Sequence, residues 1–150
     1  MEQQVIIFCD GACRGNPGLS SIGVYVSNPP KGGKPWEING FLGKHTNNEA
    51  EYKAFIYALF LAKQQNWRNI LIKCDSLLVV NQINGSWQIK NLNLMKLYEE
   101  AQYYLTHLTK EGKVDVVHIP REENKEADRL ANLGLDKAIE NGCTEEVAYI

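Results

Sequence analysis

Three short β-rich segments open the chain, and their arrangement restricts the fold more than any other feature of the sequence. Residues 5–9, 22–26 and 36–42 are rich in branched and aromatic side chains. The segments between them are rich in Gly, Pro, Asn and Ser, a composition typical of turns. Three consecutive strands with short connections favour an antiparallel meander.

Helical patterns begin after the third predicted strand. Thr46 and Glu49 have the spacing of a capping box, which predicts a helix over about residues 47–65. Residues 70–74 form another buried strand, and the short helix that follows it ends before Gly85.

The second half of the chain continues this alternation. A longer helix is predicted from apolar residues at offsets of three and four, which indicate a face that packs on a sheet. This stripe consists of Leu94, Leu97, Tyr98, Ala101, Leu105 and Leu108. Residues 114–119 form the last predicted strand, and residues 124–140 form the last helix. The predicted order is therefore β-β-β-α-β-α-α-β-α.

This order predicts an α/β fold of the mixed α+β kind, with a mixed sheet and helices on both faces. A chain of 150 residues, 44% of them hydrophobic, is large enough to bury a core without covalent cross-links. We therefore predict a single domain over residues 1–150, with residues 143–150 as a C-terminal tail.

Charge and cysteine usage exclude several classes of protein. The net charge of −2 provides no global basic field, so any affinity for nucleic acid must be local. The cysteines show neither C-x-x-C spacing nor a nearby histidine, which argues against structural zinc and for reduced thiols. The apolar run before Asp10 is too short for a signal peptide or a membrane span. We expect a cytoplasmic protein without membrane attachment.

Four carboxylates stand where predicted strands end or helices begin. Asp10 and Asp75 each follow a buried strand. Glu51 lies on the apolar stripe of the first long helix, and Asp128 lies early in the last helix. If the two strands are parallel neighbours, Asp10 and Asp75 emerge at one carboxyl edge of the sheet, where α/β sheets bind ligands. A buried carboxylate without a partner is destabilising, so a divalent cation is the expected partner.

Two polar segments are placed to contact a ligand beside these carboxylates. Residues 10–18 read DGACRGNPG, which is either a plain hairpin turn or a loop whose glycines let the backbone approach a ligand. Thr46, Asn47 and Asn48 lie at a predicted helix N-terminus, where free amides and the helix dipole favour a phosphate group.

Four motifs, in order along the chain, carry a resemblance to one family. They are DGACRGNPG at residues 10–18, TNNEAE at 46–51, CDS at 74–76 and ENKEADRLA at 123–131. Together they resemble type 1 ribonuclease H (ribonuclease HI), and the match spans nearly the whole chain. The resemblance implies a ribonuclease H-like fold with a five-stranded mixed sheet. It also implies endonucleolytic hydrolysis of the RNA strand of RNA/DNA hybrids, leaving 5′-phosphate and 3′-hydroxyl ends.

The resemblance further implies roles for individual residues. Two Mg²⁺ ions, for which Mn²⁺ can substitute, are implied to bind Asp10, Glu51, Asp75 and Asp128. The residues implied near the RNA minor groove are Gly11, Ala12, Cys13, Asn16 and Asn48. Those implied near a DNA phosphate are Thr46 and Asn47. A backbone loop and amide side chains can recognise the 2′-hydroxyl of RNA without reading base sequence.

The segment before the last helix departs from the family pattern. Many members carry a flexible loop with a catalytic histidine there, whereas this chain has only the short segment 119–123. We interpret His118 as a structural residue of the last strand. Arg121 is a candidate catalytic residue, because a guanidinium there can bind the scissile phosphate or help product release. The alternative is a surface ion pair with Glu122 or Glu126.

The segment after the short helix also departs, because it lacks the basic protrusion of some members. Trp87 and Lys90 are candidates for contact with the DNA strand, since an aromatic face beside a cation suits a sugar or a base. The alternative for Trp87 is packing over the edge of the core.

Other functions are compatible with parts of this pattern. A nuclease of the same fold could cut double-stranded RNA, and a ribonuclease H domain can belong to a reverse transcriptase. A non-catalytic hybrid-binding module is a further alternative, although it would be expected to lack a metal ligand. We expect a monomer whose partner is an RNA/DNA hybrid duplex.

Overall fold

The computed structural model of the protein describes residues 3–143. The predicted tail, residues 143–150, lies outside the described residues except for Cys143, which packs against Phe41, Leu135 and Ala138. The organisation as one domain over residues 1–150 stays a prediction.

Strands and helices follow one another in the predicted order. The strands are β1 (Val5–Gly15), β2 (Gly18–Val26), β3 (Trp36–His45), β4 (Asn69–Cys74) and β5 (Lys113–His118). The helices are α1 (Asn47–Gln64), α2 (Leu77–Ile83), α3 (Leu92–Glu111) and α4 (Lys125–Glu140), with a short 3₁₀ turn at Arg121–Glu123. The predicted capping box begins α1: Thr46 Oγ1 accepts from the Glu49 amide, and the Glu49 carboxylate accepts from the Thr46 amide.

The five strands form one mixed sheet in the order β3-β2-β1-β4-β5. β1 pairs antiparallel with β2, and β2 pairs antiparallel with β3, which confirms the predicted meander. β1 and β4 are parallel neighbours, as are β4 and β5. The central strand β1 therefore has an antiparallel neighbour along one edge and a parallel neighbour along the other.

Strand β1 is longer than predicted. The sequence predicts a strand over residues 5–9 and a turn or loop over residues 10–18, whereas β1 continues to Gly15 before the chain turns. The residues after Asp10 read GACRG, a composition with low β-propensity. Pairing with β2 holds them in a strand nevertheless, and Asp10 is the register partner of Gly23.

Helices cover both faces of the sheet, as predicted. α4 packs on β1, β2 and β3, and α1 packs on the opposite face. The predicted stripe of α3 is its buried side, but it packs mainly on α1 rather than directly on the sheet. Helix α1 can contact both the sheet and α3 because it buries residues around most of its circumference. Among residues 3–143, no helix is long and apolar enough to span a membrane.

Two of the free cysteines are packed strand residues. Cys9 and Cys74 are buried register partners on β1 and β4. The hydrogen bond with Cys74, together with burial, holds the pKa of the Cys9 thiol well above its usual value. Cys9 therefore stays a protonated and unreactive thiol.

Candidate active site

Three carboxylates meet at the edge of the sheet where β4 ends. Oxygen atoms of Asp10, Glu51 and Asp75 all lie within 4.8 Å of one another. Asp10 and Glu51 are buried, with exposed fractions of 5% and 7%, and Asp75 is half-buried. The structure thus brings three of the four predicted carboxylates into one tight group.

The end of β4 explains why Asp10 and Asp75 lie side by side. Cys9 and Cys74 are the last register partners of the parallel pair, so the residues after them leave the pair together. Asp75 leaves the sheet at this point, whereas β1 continues along β2. Asp10 therefore lies inside β1 rather than at its end. It has no β4 neighbour on one side, because the pairing of β1 with β4 ends at Cys9 and Cys74.

Helix α1 brings Glu51 to this edge through a close contact with Gly11. A side chain at position 11 would place its Cβ 2.6 Å from the Glu51 amide nitrogen and 2.6 Å from the Ala50 carbonyl oxygen. Glycine is therefore required for the helix to approach the strand so closely. The Gly11 amide also donates a hydrogen bond to Glu51 Oε1 at 2.5 Å. Helix and strand are thus joined at the carboxylate itself.

Helix α4 docks on the other face in a similar way, through Gly23. A Cβ at position 23 would lie 2.5 Å from the Ala131 amide nitrogen. Asp128, earlier in this helix, is half-exposed, and its Oδ1 accepts a hydrogen bond of 3.4 Å from Asn132 one turn later. Among the described residues Asp128 lies outside the tight group, although its charge contributes to the raised pKa of Asp10.

Burial, together with repulsion from neighbouring acidic groups, raises the pKa values of the two buried carboxyl groups. Burial, followed by repulsion from Glu51, raises the pKa of Asp10 to about 10. Burial raises the pKa of Glu51 to about 8, although hydrogen bonds from Asp10 and from the Gly11 amide act in the opposite direction. A cation bound through oxygen would relieve this repulsion and favour the ionised carboxylates. The group therefore fits a hard divalent ion such as Mg²⁺ or Mn²⁺.

The β1–β2 hairpin and the start of α1 form one continuous surface next to the carboxylates. Cys13 Sγ donates to the His45 carbonyl oxygen at 3.2 Å, and Asn16 Oδ1 accepts from the Asn47 amide at 3.0 Å. These contacts hold the two predicted substrate-binding segments against each other. Asn16 and Asn47 are exposed, whereas Gly11, Ala12, Cys13, Thr46 and Asn48 are half-buried.

The connection between α2 and α3 carries the other two predicted substrate contacts. Trp87 is 47% exposed and Lys90 is exposed, and their contact with the DNA strand stays a prediction. The buried amide of Gln82 anchors this connection, because it accepts from the Tyr52 hydroxyl and donates to the Gln88 carbonyl oxygen at 3.3 Å. The sequence pattern did not identify this anchor.

The connection before α4 leaves Arg121 and His118 in solvent. Arg121 is exposed in the 3₁₀ turn, and Glu126 pairs with Arg129 at 2.8 Å rather than with Arg121. The catalytic role of Arg121 stays a prediction. His118 belongs to the last strand, as predicted, but it is the final residue of β5 and its side chain is exposed. Packing therefore cannot give His118 the stabilising role expected of it.

Sequence reasoning also missed Asn124 and Gly23, which lie next to the carboxylates. Asn124 is buried, and its Nδ2 donates to Asp75 Oδ2 at 2.9 Å. Its spacing of four residues from Asp128 places both on one side of a helix, and that signal could have identified it. Gly23 lies in an apolar strand and carries no such local signal.

Comparison with known proteins agrees with the motifs. The family model described as "Reverse transcriptase-like" matches residues 8–134. Ribonuclease HI of Halobacterium salinarum is 38% identical over 136 residues, which cover 90% of this chain and 66% of that protein. The crystal structure of RNase H1 from this archaeon has a TM-score of 0.82 at 36% identity, covering 91% of this chain and all of that one. The structure of LC11-RNase H1 in complex with an RNA/DNA hybrid has a TM-score of 0.80 at 34% identity, covering 90% and 99% of the two chains.

Some relatives are considerably longer than this chain. The bifunctional protein Rv2228c of Mycobacterium tuberculosis is 34% identical over 142 residues, which cover 95% of this chain and 38% of that protein. The chain thus spans less than two fifths of the length of that relative. The sheet topology, the sequence motifs and these likenesses together show that the chain belongs to the type 1 ribonuclease H family.

Proposed function

We propose that this protein is an endonuclease that hydrolyses the RNA strand of RNA/DNA hybrids with two divalent metal ions, leaving 5′-phosphate and 3′-hydroxyl ends. The observation that carries the proposal is the group of three carboxylates within 4.8 Å of one another. It lies next to the joined surface of the β1–β2 hairpin and α1. The RNA/DNA hybrid in the related LC11-RNase H1 structure supports the same substrate class here.

The metal-binding residues in this proposal are the four carboxylates. Asp10, Glu51 and Asp75 would hold the ions, and Asp128 would complete the set from α4. When bound, Mg²⁺ or Mn²⁺ supplies an activated water and stabilises the charge on the leaving oxygen. The chain itself holds the carboxylates at fixed positions through strand pairing and the Gly11 amide. Repulsion between Asp10 and Glu51 favours occupation by a cation.

Substrate recognition is proposed to use the surface beside the carboxylates. Backbone groups and amide side chains can bond to 2′-hydroxyls in a minor groove but cannot easily distinguish bases. The proposed contacts to RNA are Gly11, Ala12, Cys13, Asn16 and Asn48. The proposed contacts to DNA are Thr46, Asn47, Trp87 and Lys90. The deoxyribose strand suits the start of α1, because its flexibility lets a phosphate approach the helix N-terminus.

Arg121 is proposed to bind the reacting phosphate or to assist product release. Its guanidinium is exposed in the turn just before α4, the helix that carries Asp128. A guanidinium can form two parallel hydrogen bonds to phosphate oxygens, which an exposed position permits.

The test is cleavage of a labelled DNA strand that carries a central block of ribonucleotides, annealed either to DNA or to RNA. We expect Mg²⁺-dependent cleavage confined to the block in the duplex with DNA, with 5′-phosphate ends and little dependence on base sequence. Equal rates on both duplexes would indicate a double-stranded RNA nuclease. Binding without cleavage would indicate a hybrid-binding module. Asp10→Asn, purified in parallel, controls for contaminating nucleases.

We further propose a monomeric protein of the cytoplasm. A monomer is supported because the tight carboxylate group comes from one chain. The cytoplasm is supported because the free cysteines among the described residues suit a reducing compartment. Light scattering on the purified protein tests the oligomeric state, and a stable dimer at assay concentration would contradict it.

A further inference from the structure

Asn124 occupies the N-cap position of α4 but does not cap the helix. Asparagine is favoured at N-caps because its side-chain oxygen accepts a hydrogen bond from an amide of the first turn. Asn124 makes no such hydrogen bond. Its side chain instead points into the protein, and the residue is only 1% exposed. The side chain of Asn124 therefore has a role other than capping α4.

The side-chain nitrogen of Asn124 joins three parts of the site. It donates to the Cys9 carbonyl oxygen at 3.0 Å and to Asp75 Oδ2 at 2.9 Å. The Cys9 carbonyl oxygen is an acceptor only, so the amide must be oriented with its nitrogen towards it. One side chain thus connects β1, the residue after β4 and the start of α4.

The side-chain oxygen of Asn124 is buried and has no hydrogen-bond partner among residues 3–143. A buried oxygen without a donor is destabilising, because it has lost water and gained nothing in return. Asn124 therefore keeps an orientation that neither caps α4 nor satisfies its own oxygen. Such an unsatisfied group in a native structure calls for an explanation other than stability.

We propose that Asn124 is a positioning residue that orients the Asp75 carboxylate for metal binding, an inference that rests on the function proposed above. Its hydrogen bond occupies Oδ2 of Asp75 and leaves the other carboxylate oxygen for the cation. A neutral amide suits this role, because it orients an anion without neutralising it as a lysine or an arginine would. The Asn124 carbonyl oxygen also accepts from the Asp128 amide at 3.1 Å, so the same residue begins the turn that carries the fourth carboxylate.

The test is a double-mutant cycle of Asn124→Leu and Asp75→Asn, with Mg²⁺ affinity measured by calorimetry on metal-free protein. Leucine is similar in size to asparagine and removes both hydrogen bonds. We expect Asn124→Leu to weaken Mg²⁺ binding by about 10- to 100-fold when Asp75 is present. In the Asp75→Asn background the same change should weaken it by less than about threefold, because the carboxylate to be oriented is gone.

Gln82→Leu is the matched control. Gln82 is another buried amide, but its hydrogen bonds go to Tyr52 and Gln88 rather than to a carboxylate. It should lower the denaturant midpoint of the metal-free protein and leave Mg²⁺ affinity unchanged. If Asn124→Leu does not fold, Asn124→Ala takes its place in the cycle with the same expectation.

Two results would overturn the positioning role. One is an equal loss of Mg²⁺ affinity in both Asp75 backgrounds. The other is a loss of stability with unchanged affinity, as expected for Gln82→Leu. A wild-type protein that binds Mg²⁺ but does not cut hybrids would instead overturn the proposed activity, and the affinity cycle would still be interpretable.

Discussion

Helices α1 and α4 each carry a carboxylate to the same region of the sheet, but they hold it differently. Both dock on a glycine of the sheet, α1 on Gly11 and α4 on Gly23. Glu51 of α1 is buried and accepts a hydrogen bond from the strand. Asp128 of α4 is half-exposed and accepts from Asn132 of its own helix. Similar docking of the two helices therefore does not imply similar restraint of Glu51 and Asp128.

This difference divides the site into a fixed part and an adjustable part. The fixed part consists of Asp10, Glu51 and Asp75, which strand pairing, helix docking and hydrogen bonds from Gly11 and Asn124 hold in place. The adjustable part consists of Asp128, whose carboxylate accepts a long hydrogen bond of 3.4 Å from its own helix, and Arg121, which is exposed in the turn before α4. We expect substitutions in the fixed part to reduce activity more than those in the adjustable part.

The largest effect is expected for Asp10→Asn in the fixed part. Loss of this charge should weaken metal binding and lower hybrid cleavage about 10³-fold or more. It also removes a carboxyl group whose ionised form is disfavoured by burial and by repulsion from Glu51, so the free energy of unfolding of the metal-free protein should rise. Cleavage assays and urea unfolding measure the two effects. Substantial activity of the folded variant in Mg²⁺ would refute the role assigned to the carboxylates.

Alanine at the two docking glycines tests the comparison directly. Gly11→Ala and Gly23→Ala each place a Cβ within 2.6 Å of helix backbone. Each should therefore lower the free energy of unfolding by about 1–3 kcal/mol. Because Glu51 is fixed and Asp128 adjustable, turnover should fall about 100-fold in Gly11→Ala and about tenfold in Gly23→Ala. Kinetics and denaturant unfolding on both variants check this, and equal losses of turnover at matched stability would remove the distinction.

The fixed carboxylates also predict how pH affects the metal-free protein. The pKa values of Asp10 and Glu51, about 10 and about 8 in the folded state, lie above their ordinary values of 3.8 and 4.5. The folded state therefore binds more protons than the unfolded state between these limits, and its stability falls as pH rises. We expect the free energy of unfolding to fall progressively between pH 5 and pH 8. Mg²⁺ should largely abolish the loss, whereas Asp10→Asn should remove the contribution of Asp10 and leave that of Glu51. Denaturant unfolding at the two pH values measures it, and stability that rises with pH in this range would contradict the prediction.

The smallest effects are expected in the connection before α4. Arg121→Ala should lower turnover about five- to tenfold with little change in hybrid affinity, because the guanidinium is proposed to act on the reacting phosphate. His118→Ala should leave both turnover and stability nearly unchanged, because the side chain is exposed. Steady-state kinetics and thermal unfolding compare the two variants. A collapse of turnover in a stably folded His118→Ala protein would assign the catalytic role to the histidine instead.

Features that depend on neighbouring residues could be predicted from the sequence. The Thr46–Glu49 capping box located the start of α1, and the apolar stripe of α3 is its buried side. The short motifs identify Asp10, Glu51 and Asp75 without information on the distances between them. Helix periodicity and capping are local patterns, so they can be identified without knowledge of the fold.

Features that depend on distant contacts could not be predicted. The second half of β1 is held in a strand by β2, although its own composition favours a turn. Gly23 matters only because α4 passes over it. Asn124 bonds to residues 115 and 49 positions earlier, and no local pattern shows which atoms its amide faces. α3 packs on α1 because α1 offers a second apolar side, which a one-helix pattern does not reveal.

The end of β4 at Cys74 bears on how a site of this kind can be gained or lost. Backbone groups inside a sheet normally bond to a neighbouring strand. Past Cys74 that neighbour is missing, and the Cys9 carbonyl and the Gly11 amide bond instead to Asn124 and Glu51. Two more residues of β4 would compete for these same backbone groups. A family member could thus keep every acidic residue of the signature and still lose its chemistry through a change in strand length alone.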